Sequence, residues 1–448
     1  EDLALAAGRD INSQAAGLAA ENDVNMKAGR AGNLLAEATG EGSSSKSKKK
    51  TVIDDRVRQQ GTEIASGGNT SIIAGRDLNA EAAQVIAQQD IAVRAGRDVN
   101  LDTATDSDYH YQETVKTKKS FLSKTKTHTI SEQSATREAG SLLSGDNVSV
   151  SAGNNLLVKG SSVVGDGDVA LSAGKNVDIV AATNSDTNWQ FKEKTKSGLM
   201  GSGGIGFSIG TSKSRHELRE KGTTQSDSVS TVGSTSGNVT ITSGGQTRIA
   251  GSDVIAGKDM TVKGDNVVIE PGHDKRTRTE TFEQKTAGLT LALSGSVGSM
   301  VNGAATAVQA AHKESDSRLA SLKATQAALS GFQAGLQQQL AAAHGGSATD
   351  NAFQIAVSLG AQSSKSKTHE ESDTVTGSRL TTGGNLSVVA TGKDTAANGG
   401  DITVVGSQLN AGKDVTLDAA RDINLISGQN TNLLTGSNSS HGGSVGVG

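Results

Sequence analysis

The sequence predicts an all-β protein, a parallel β-helix solenoid interrupted by extended β-hairpin insertions, one of them carrying helices. Three observations point there. A turn-plus-strand motif recurs with steps of 8 and 13 residues, summing to a two-beat coil of 21. Apolar residues within each beat alternate with polar ones, as strands require. All nine aromatic residues fall in the segments that interrupt the repeat.

Composition supports thin layers over bulky cores. The 448 residues are 34% hydrophobic and 2% aromatic, with 56 glycines, one proline (Pro271) and no cysteine. Aromatic side chains supply much of the volume of compact cores, so ordinary globular domains would be hard to fill. Charged residues make up 20% and the net charge is −4, which lacks the self-repulsion of a disordered chain. The absence of cysteine excludes disulfide scaffolds, thiolate metal sites and cysteine nucleophiles, and suits a chain that crosses an oxidising space unfolded. The balanced charge gives no reason to expect a nucleic-acid partner. No apolar run is long enough for a transmembrane helix, and residues 1–20 lack the pattern of a signal peptide. The chain opens inside a repeat, EDLALAAGRDIN, and reads as a fragment of something longer.

The repeat is a small residue, a basic or polar residue, Asp or Asn, then an apolar alternation. It reads GRDIN at 8–12, GRDLN at 75–79, GRDVNL at 96–101, GKNVDI at 174–179, GKDMTV at 257–262 and GKDVTL at 412–417. Asn69, Asp77, Asp90 and Asp98 step by 8, 13 and 8, and Asn147, Asn155, Asp168 and Asn176 repeat those steps. A fixed period near 20 marks a solenoid. Stacked coils place Asp77, Asp90, Asp98, Asn155, Asp168, Asn176, Asp259, Asp414 and Asp422 in a turn ladder. Gly and Asp or Asn there are read as residues that tolerate positive φ. Val99, Leu101, Val177, Ile179, Val415 and Leu417 point inward. An array of β-sandwiches also has short strands, but needs neither the 8/13 alternation nor so aromatic-poor a core.

Coil blocks cover 1–38, 67–103, 144–181, 236–270 and 382–427, roughly nine coils or about 45 Å of shaft. Insertions occupy 39–66, 104–143, 182–235 and 271–381, and another begins at 428–448. Each of the four contains Ser-Lys-(Ser/Thr)-(Lys/Arg): SKSK at 45–48, SKTK at 123–126, SKSR at 212–215 and SKSK at 364–367. Outgoing and returning limbs read as antiparallel hairpins. Two limbs for every two coils would let successive hairpins pair into one sheet beside the shaft. Ile205, Phe207 and Ile209, Leu289, Leu291 and Leu293, and Phe353, Ile355, Val357 and Leu359 fall on one face of their limbs. They are the candidate membrane or partner contacts, expected to be covered at rest by the shaft or a neighbouring hairpin. Leu322, Leu329 and Leu336, seven apart in an Ala- and Gln-rich stretch, predict one long or two shorter helices over 300–343.

Catalytic and cofactor signatures fail in context. Gly201, Gly203 and Gly206 satisfy G-x-G-x-x-G, but the motif runs into a strand pattern rather than a helix. The histidines lack metal-ligand spacing, and GDGD at 165–168 lacks the tandem glycines of a calcium roll. KSKKK at 46–50 is a basic run closed by Asp54 and Asp55, read as a solvated face with anionic lipid contact as the minority reading. A polysaccharide lyase would gather its carboxylates in one groove, whereas these recur at every turn. No catalytic residue, cofactor, metal or small-molecule substrate is expected.

The coil motifs and SKSK-type insertions together resemble the haemagglutinin-repeat region of filamentous haemagglutinin-like exoproteins. The nearest resemblance is to the second repeat region of CdiA-type contact-dependent growth-inhibition effectors. It implies secretion through an outer-membrane two-partner transporter and display on a Gram-negative cell surface. It also implies a role in moving a C-terminal toxin across a target cell's outer membrane, with that membrane or a surface receptor as partner. The alternative is the shaft of an adhesin that binds host or neighbouring cells.

Overall fold

The computed structural model describes residues 1–201, 206–294, 354–393 and 399–447. The expected helical stretch at 300–343, together with Ile205 and Phe353, lies outside the described residues. All regular elements described are strands.

Three parallel sheets wrap one narrow core. The first coil supplies Leu3–Ala7, Ile11–Gln14 and Gly17–Ala20, one strand to each sheet, and Val24–Ala28 opens the second coil. The first and second sheets have ten strands and the third has nine, so the described residues form nine complete coils and two strands of a tenth. Where no insertion intervenes, pairing is in register at 21 residues: Leu3 lies beside Val24 and Leu78 beside Val99. The 8-residue step is the first strand with its turn. The 13-residue step holds the second strand, a corner and a third strand that the two-beat reading left unresolved. Its signal is a Gly-Ser pair before each of several third strands, at 140–141, 160–161, 251–252, 377–378 and 406–407. Those serines line the interior: Ser141 N–H donates to Ser161 Oγ (3.0 Å) and Ser161 N–H to Ser230 Oγ (3.2 Å), so the buried hydroxyls are satisfied.

The apolar ladders run where the alternation places them. Val99, Leu101, Val177 and Ile179 are fully buried. Val415 pairs with buried Leu386 and faces the same interior, yet is 46% exposed, and Leu417 is half-buried, because no described coil covers the last one.

The polar turn residues form two ladders rather than one. Before the first sheet, Asp2 and Asp23 open a ladder in which Asn and Asp then alternate: Asn69, Asp90, Asn147, Asp168, Asn238, Asp259, Asn385, Asp414. Asn147 donates its backbone and side-chain N–H to Asp90 Oδ1 (3.1 and 2.9 Å), and Asp168 N–H donates to Asn147 Oδ1 (2.7 Å). The alternation keeps carboxylates two coils apart. Before the second sheet lie Asp77, Asp98, Asn155 and Asn176, then Asp401 and Asp422. Here arginines also cross the coils: Arg30 holds Asp10, whose carboxyl is pulled down to about 2 by that guanidinium and the Ala31 N–H.

The repeat glycines do not adopt positive φ, contrary to expectation. Close backbone approach requires them instead: a Cβ at Gly75 would sit 2.1 Å from the Gly29 carbonyl oxygen. Positive φ occurs at a different place. In coils without a hairpin the corner between second and third strands is closed by one left-handed residue: Ala15, Ala82, Gly160, Gly251 or Gly406. In alternate coils that same corner opens into a hairpin.

Gly160→Ala would hold alanine at φ 52° with its Cβ 2.5 Å from Ala182 Cβ. Local stability should fall by about 2 kcal/mol or more, read as faster hydrogen exchange across 156–183. Asn147→Asp would place three carboxylates in adjacent coils. It should lower local stability by about 1 kcal/mol at neutral pH and recover below about pH 4, where the added carboxyl protonates. Exchange rates measured at both pH values check the sign.

The hairpin sheet as the candidate functional site

The hairpins pair Glu37–Lys46 with Lys50–Gln60, Ala104–Lys119 with Ser123–Ala139, Asn184–Gly201 with Gly206–Thr224, and Gly272–Ser294 with Gln354–Thr376. Thr431–Val447 adds a last limb. All join one nine-stranded antiparallel sheet. Its strands pair with each other and not with the strands of the shaft. Limb lengths grow along the chain, from 10 and 11 residues to 16 and 17, then 18 and 19, then 23 and 23. Because the bases lie in register, later tips reach further from the shaft.

The register sorts the sheet into three zones along its strands. Nearest the shaft, charges are mixed and paired. Arg58 holds Asp108 below the usual carboxylate range. Burial pushes Glu217 up, but Arg219 and Arg215 outweigh it and hold that carboxyl low. The same arginines lie over rings, Arg219 over Trp189 at 5.0 Å and Arg215 over Phe191 at 5.2 Å. Five histidines face carboxylates: His110 on Asp54 (2.5 Å), His128 on Glu113 (2.7 Å), His216 on Glu280 (2.8 Å), His273 on Asp373 (3.1 Å) and His369 on Glu371 (2.9 Å). His216 also stacks on Phe282 at 4.2 Å. Among the described residues, no group of His, Cys, Asp and Glu is gathered closely enough to hold a metal ion.

The next four rows of the register contain nine lysines and no carboxylate. They are Lys116, Lys118, Lys119, Lys124, Lys126, Lys194, Lys196, Lys213 and Lys285. Lys213 reaches back to Glu193 in the zone below (3.0 Å). Strand alternation distributes the lysines over both faces of the sheet. The sequence offered SKTK and SKSR only as landmarks of the insertions; the register puts Lys126 and Lys213 in one row with Lys285.

Beyond the lysines the strands carry no charge. Gly198, Gly210, Gly288 and Gly360 align in one row. The next row is Leu199, Ile209, Leu289, Leu359 and Val445, and the row two residues further places Phe207, Leu291, Val357 and Val447 together. Leu293 pairs with Ile355 beyond these. Ile209, Leu289, Val357 and Leu359 therefore share one face. Among the described residues their expected cover is absent: Ile209, Leu289, Val357 and Leu359 are 52%, 38%, 39% and 62% exposed. Neighbouring hairpins lie edge to edge in the same layer, so they fill each other's backbone hydrogen bonds without covering the face. Phe121, at the tip of the second hairpin, is 98% exposed; it fell outside the alternation used to choose candidates.

The glycine row is tight. A Cβ on Gly288 would stand 2.4 Å from the Ile209 carbonyl oxygen and 2.8 Å from Gly210 Cα. Gly288→Ala should pry the third hairpin from the fourth, speeding exchange at residues 207–212 by tenfold or more while the shaft remains protected.

Comparison with known proteins agrees with this architecture. The family model described as hemagglutinin repeat matches residues 40–123, 122–289, 209–339 and 359–448. A protein of Enterobacter cloacae named 16S rRNA endonuclease CdiA is 65% identical over 97% of the chain and 13% of its own length. A tRNA nuclease CdiA of Escherichia coli is 60% identical over 100% of the chain and 14% of its own length. A deoxyribonuclease CdiA of Dickeya dadantii is 44% identical over 100% of the chain and 13% of its own length. The chain thus spans about one seventh of these relatives. No solved structure matches it. Repeat, coil and hairpin sheet agree with the family match: the chain belongs to the hemagglutinin-repeat family, as the repeat region of a CdiA-type exoprotein.

Proposed function

We propose that this chain is a non-enzymatic segment of a secreted surface exoprotein of a Gram-negative bacterium. Its β-helical shaft supports delivery of a C-terminal toxin across the outer membrane of a target cell. Export would use an outer-membrane two-partner transporter, and the receiving partner is the target-cell outer membrane or a receptor upon it. The observation that carries this reading is the uncharged tip of the hairpin sheet, apolar on one face and Gly-, Ser-, Thr- and Ala-rich on the other. Contiguous exposed apolar faces rimmed by polar residues mark interaction surfaces. Ile209, Leu289, Val357 and Leu359 would make the contact, with Phe207, Leu291, Leu293 and Ile355 in the next rows of the register.

The relatives support separating this segment from the toxin. Their names specify three different nuclease activities, against 16S rRNA, tRNA and DNA, yet all share this region at 44–65% identity. Activities that differ while this segment persists belong to another part of those chains.

The test is a co-culture of inhibitor and target cells. Ile209→Asp, Leu289→Asp and Leu359→Asp are introduced together in the full exoprotein. Display on the producing cell, read with a surface antibody, should be unchanged, while killing of target cells should fall at least tenfold. Full killing by a normally displayed variant would overturn the proposal.

A further inference from the structure

The lysine zone has no role in the shaft and is not balanced within its own rows. The whole chain is slightly acidic, at −4, yet four consecutive rows hold only positive charge. Their position is equally specific. Mixed charge lies on the shaft side and an uncharged, one-sided apolar tip lies on the other. Lys119 and Lys124 stand two residues before Leu199 and Leu122, about 7 Å along the strand. Lys126, Lys213 and Lys285 stand four residues before the Leu199–Val445 row, about 14 Å.

That order corresponds to the layers met on approaching a lipid bilayer: water, charged headgroups, hydrocarbon. The headgroup layer on each side is about 5–7.5 Å thick, close to the distance from the outermost lysines to the first apolar row. Long lysine stems can lie along apolar surface while their ammonium groups stay at headgroup level. A shallow hollow on the apolar-side face is lined by Lys213, Lys285, Ser363 and His441, a combination of cationic and hydroxyl donors that suits a phosphate monoester or diester. Phe121, exposed at the second hairpin tip, stands at the level where aromatic residues settle at membrane interfaces. An acidic protein or a nucleic acid would meet the lysines equally well, but neither accounts for the uncharged apolar rows beside them.

We propose that the lysine zone is a headgroup-binding belt that docks the hairpin tips onto a lipid surface bearing anionic phosphate groups. This deepens, and rests on, the reading of the tips as the membrane-contacting part of the chain. The apolar rows supply contact with lipid of any charge. The belt supplies selection for anionic lipid and sets how deep the tips enter.

The test is flotation of the 448-residue chain with vesicles. One set is pure phosphatidylcholine and the other contains one third phosphatidylglycerol. Lys126→Gln, Lys213→Gln and Lys285→Gln are combined in one variant, and Ile209→Ser with Leu359→Ser in another; hydrogen exchange of the shaft confirms that both fold. Each lysine near an anionic surface is worth about fivefold in affinity. The lysine variant should therefore lose at least tenfold on anionic vesicles, and little on neutral ones. High salt should imitate that loss for the unmodified chain. The apolar variant should weaken on both kinds of vesicle. Equal binding of the unmodified chain to neutral and anionic vesicles would overturn the belt while leaving the tip contact standing. Absence of binding to either would overturn both readings. Capture by heparin with no vesicle binding would replace the lipid with a soluble polyanion and overturn the proposal.

Discussion

One distance governs the architecture, the ~4.8 Å between hydrogen-bonded strands. It is the rise of each coil, because successive coils pair strand upon strand. It is also the spacing of limbs in the hairpin sheet. A hairpin every second coil delivers two limbs for two rises, so hairpins and coils advance together and neither sheet must stretch. This coincidence lets a chain with little bulk build a three-sheet shaft and a hairpin sheet beside it at once. The shaft gains from ladders of Val, Ile and Leu, while the hairpin sheet depends more on backbone pairing and cross-strand charges.

The corner between the second and third shaft strands is where this arrangement is decided. A single left-handed residue closes it in one coil; in the next, the chain leaves and returns. Ala15 and Ala82 hold φ values of 49° and 50°, a conformation that disfavours alanine by about 1 kcal/mol or more. The coils on either side hold them there through the backbone pairing of adjacent strands. An insertion at this corner costs the core little, since the wall on either side of it is unchanged. The other two corners are filled by the Asp and Asn ladders and by tightly approaching glycines, and they stay short except between Leu386–Ala390 and Ile402–Val405.

Much of this was legible before the structure. Period, handing-on of coils, inward positions such as Val177 and Ile179, and the hairpin character of the insertions follow from alternation and spacing, because stacked identical coils print their period directly onto the chain. The third strand escaped because its apolar positions are fewer and small, and its regular mark, Gly-Ser, is polar. The glycine role was misread because close approach and positive φ leave the same residue in the sequence. The lysine zone was invisible for a different reason. Lys126, Lys213 and Lys285 are 87 and 72 residues apart in the chain, and only the antiparallel register brings them into one row. Exposure of Ile209 and Leu359 likewise depended on whether a second layer covers the sheet, which alternation alone does not specify.

The unequal hairpins also have a mechanical side. With bases aligned and limbs growing from 10 to 23 residues, the free margin of the sheet is a ramp inclined to the shaft axis. A flat object pressed against that ramp touches the longest hairpin first and the shortest last. Force is then borne by one strand pair before it is shared, and the glycine row, with no side chains to stiffen it, is the crease about which that pair would flex. Engagement proceeds in sequence along the shaft, like the closing of a zip.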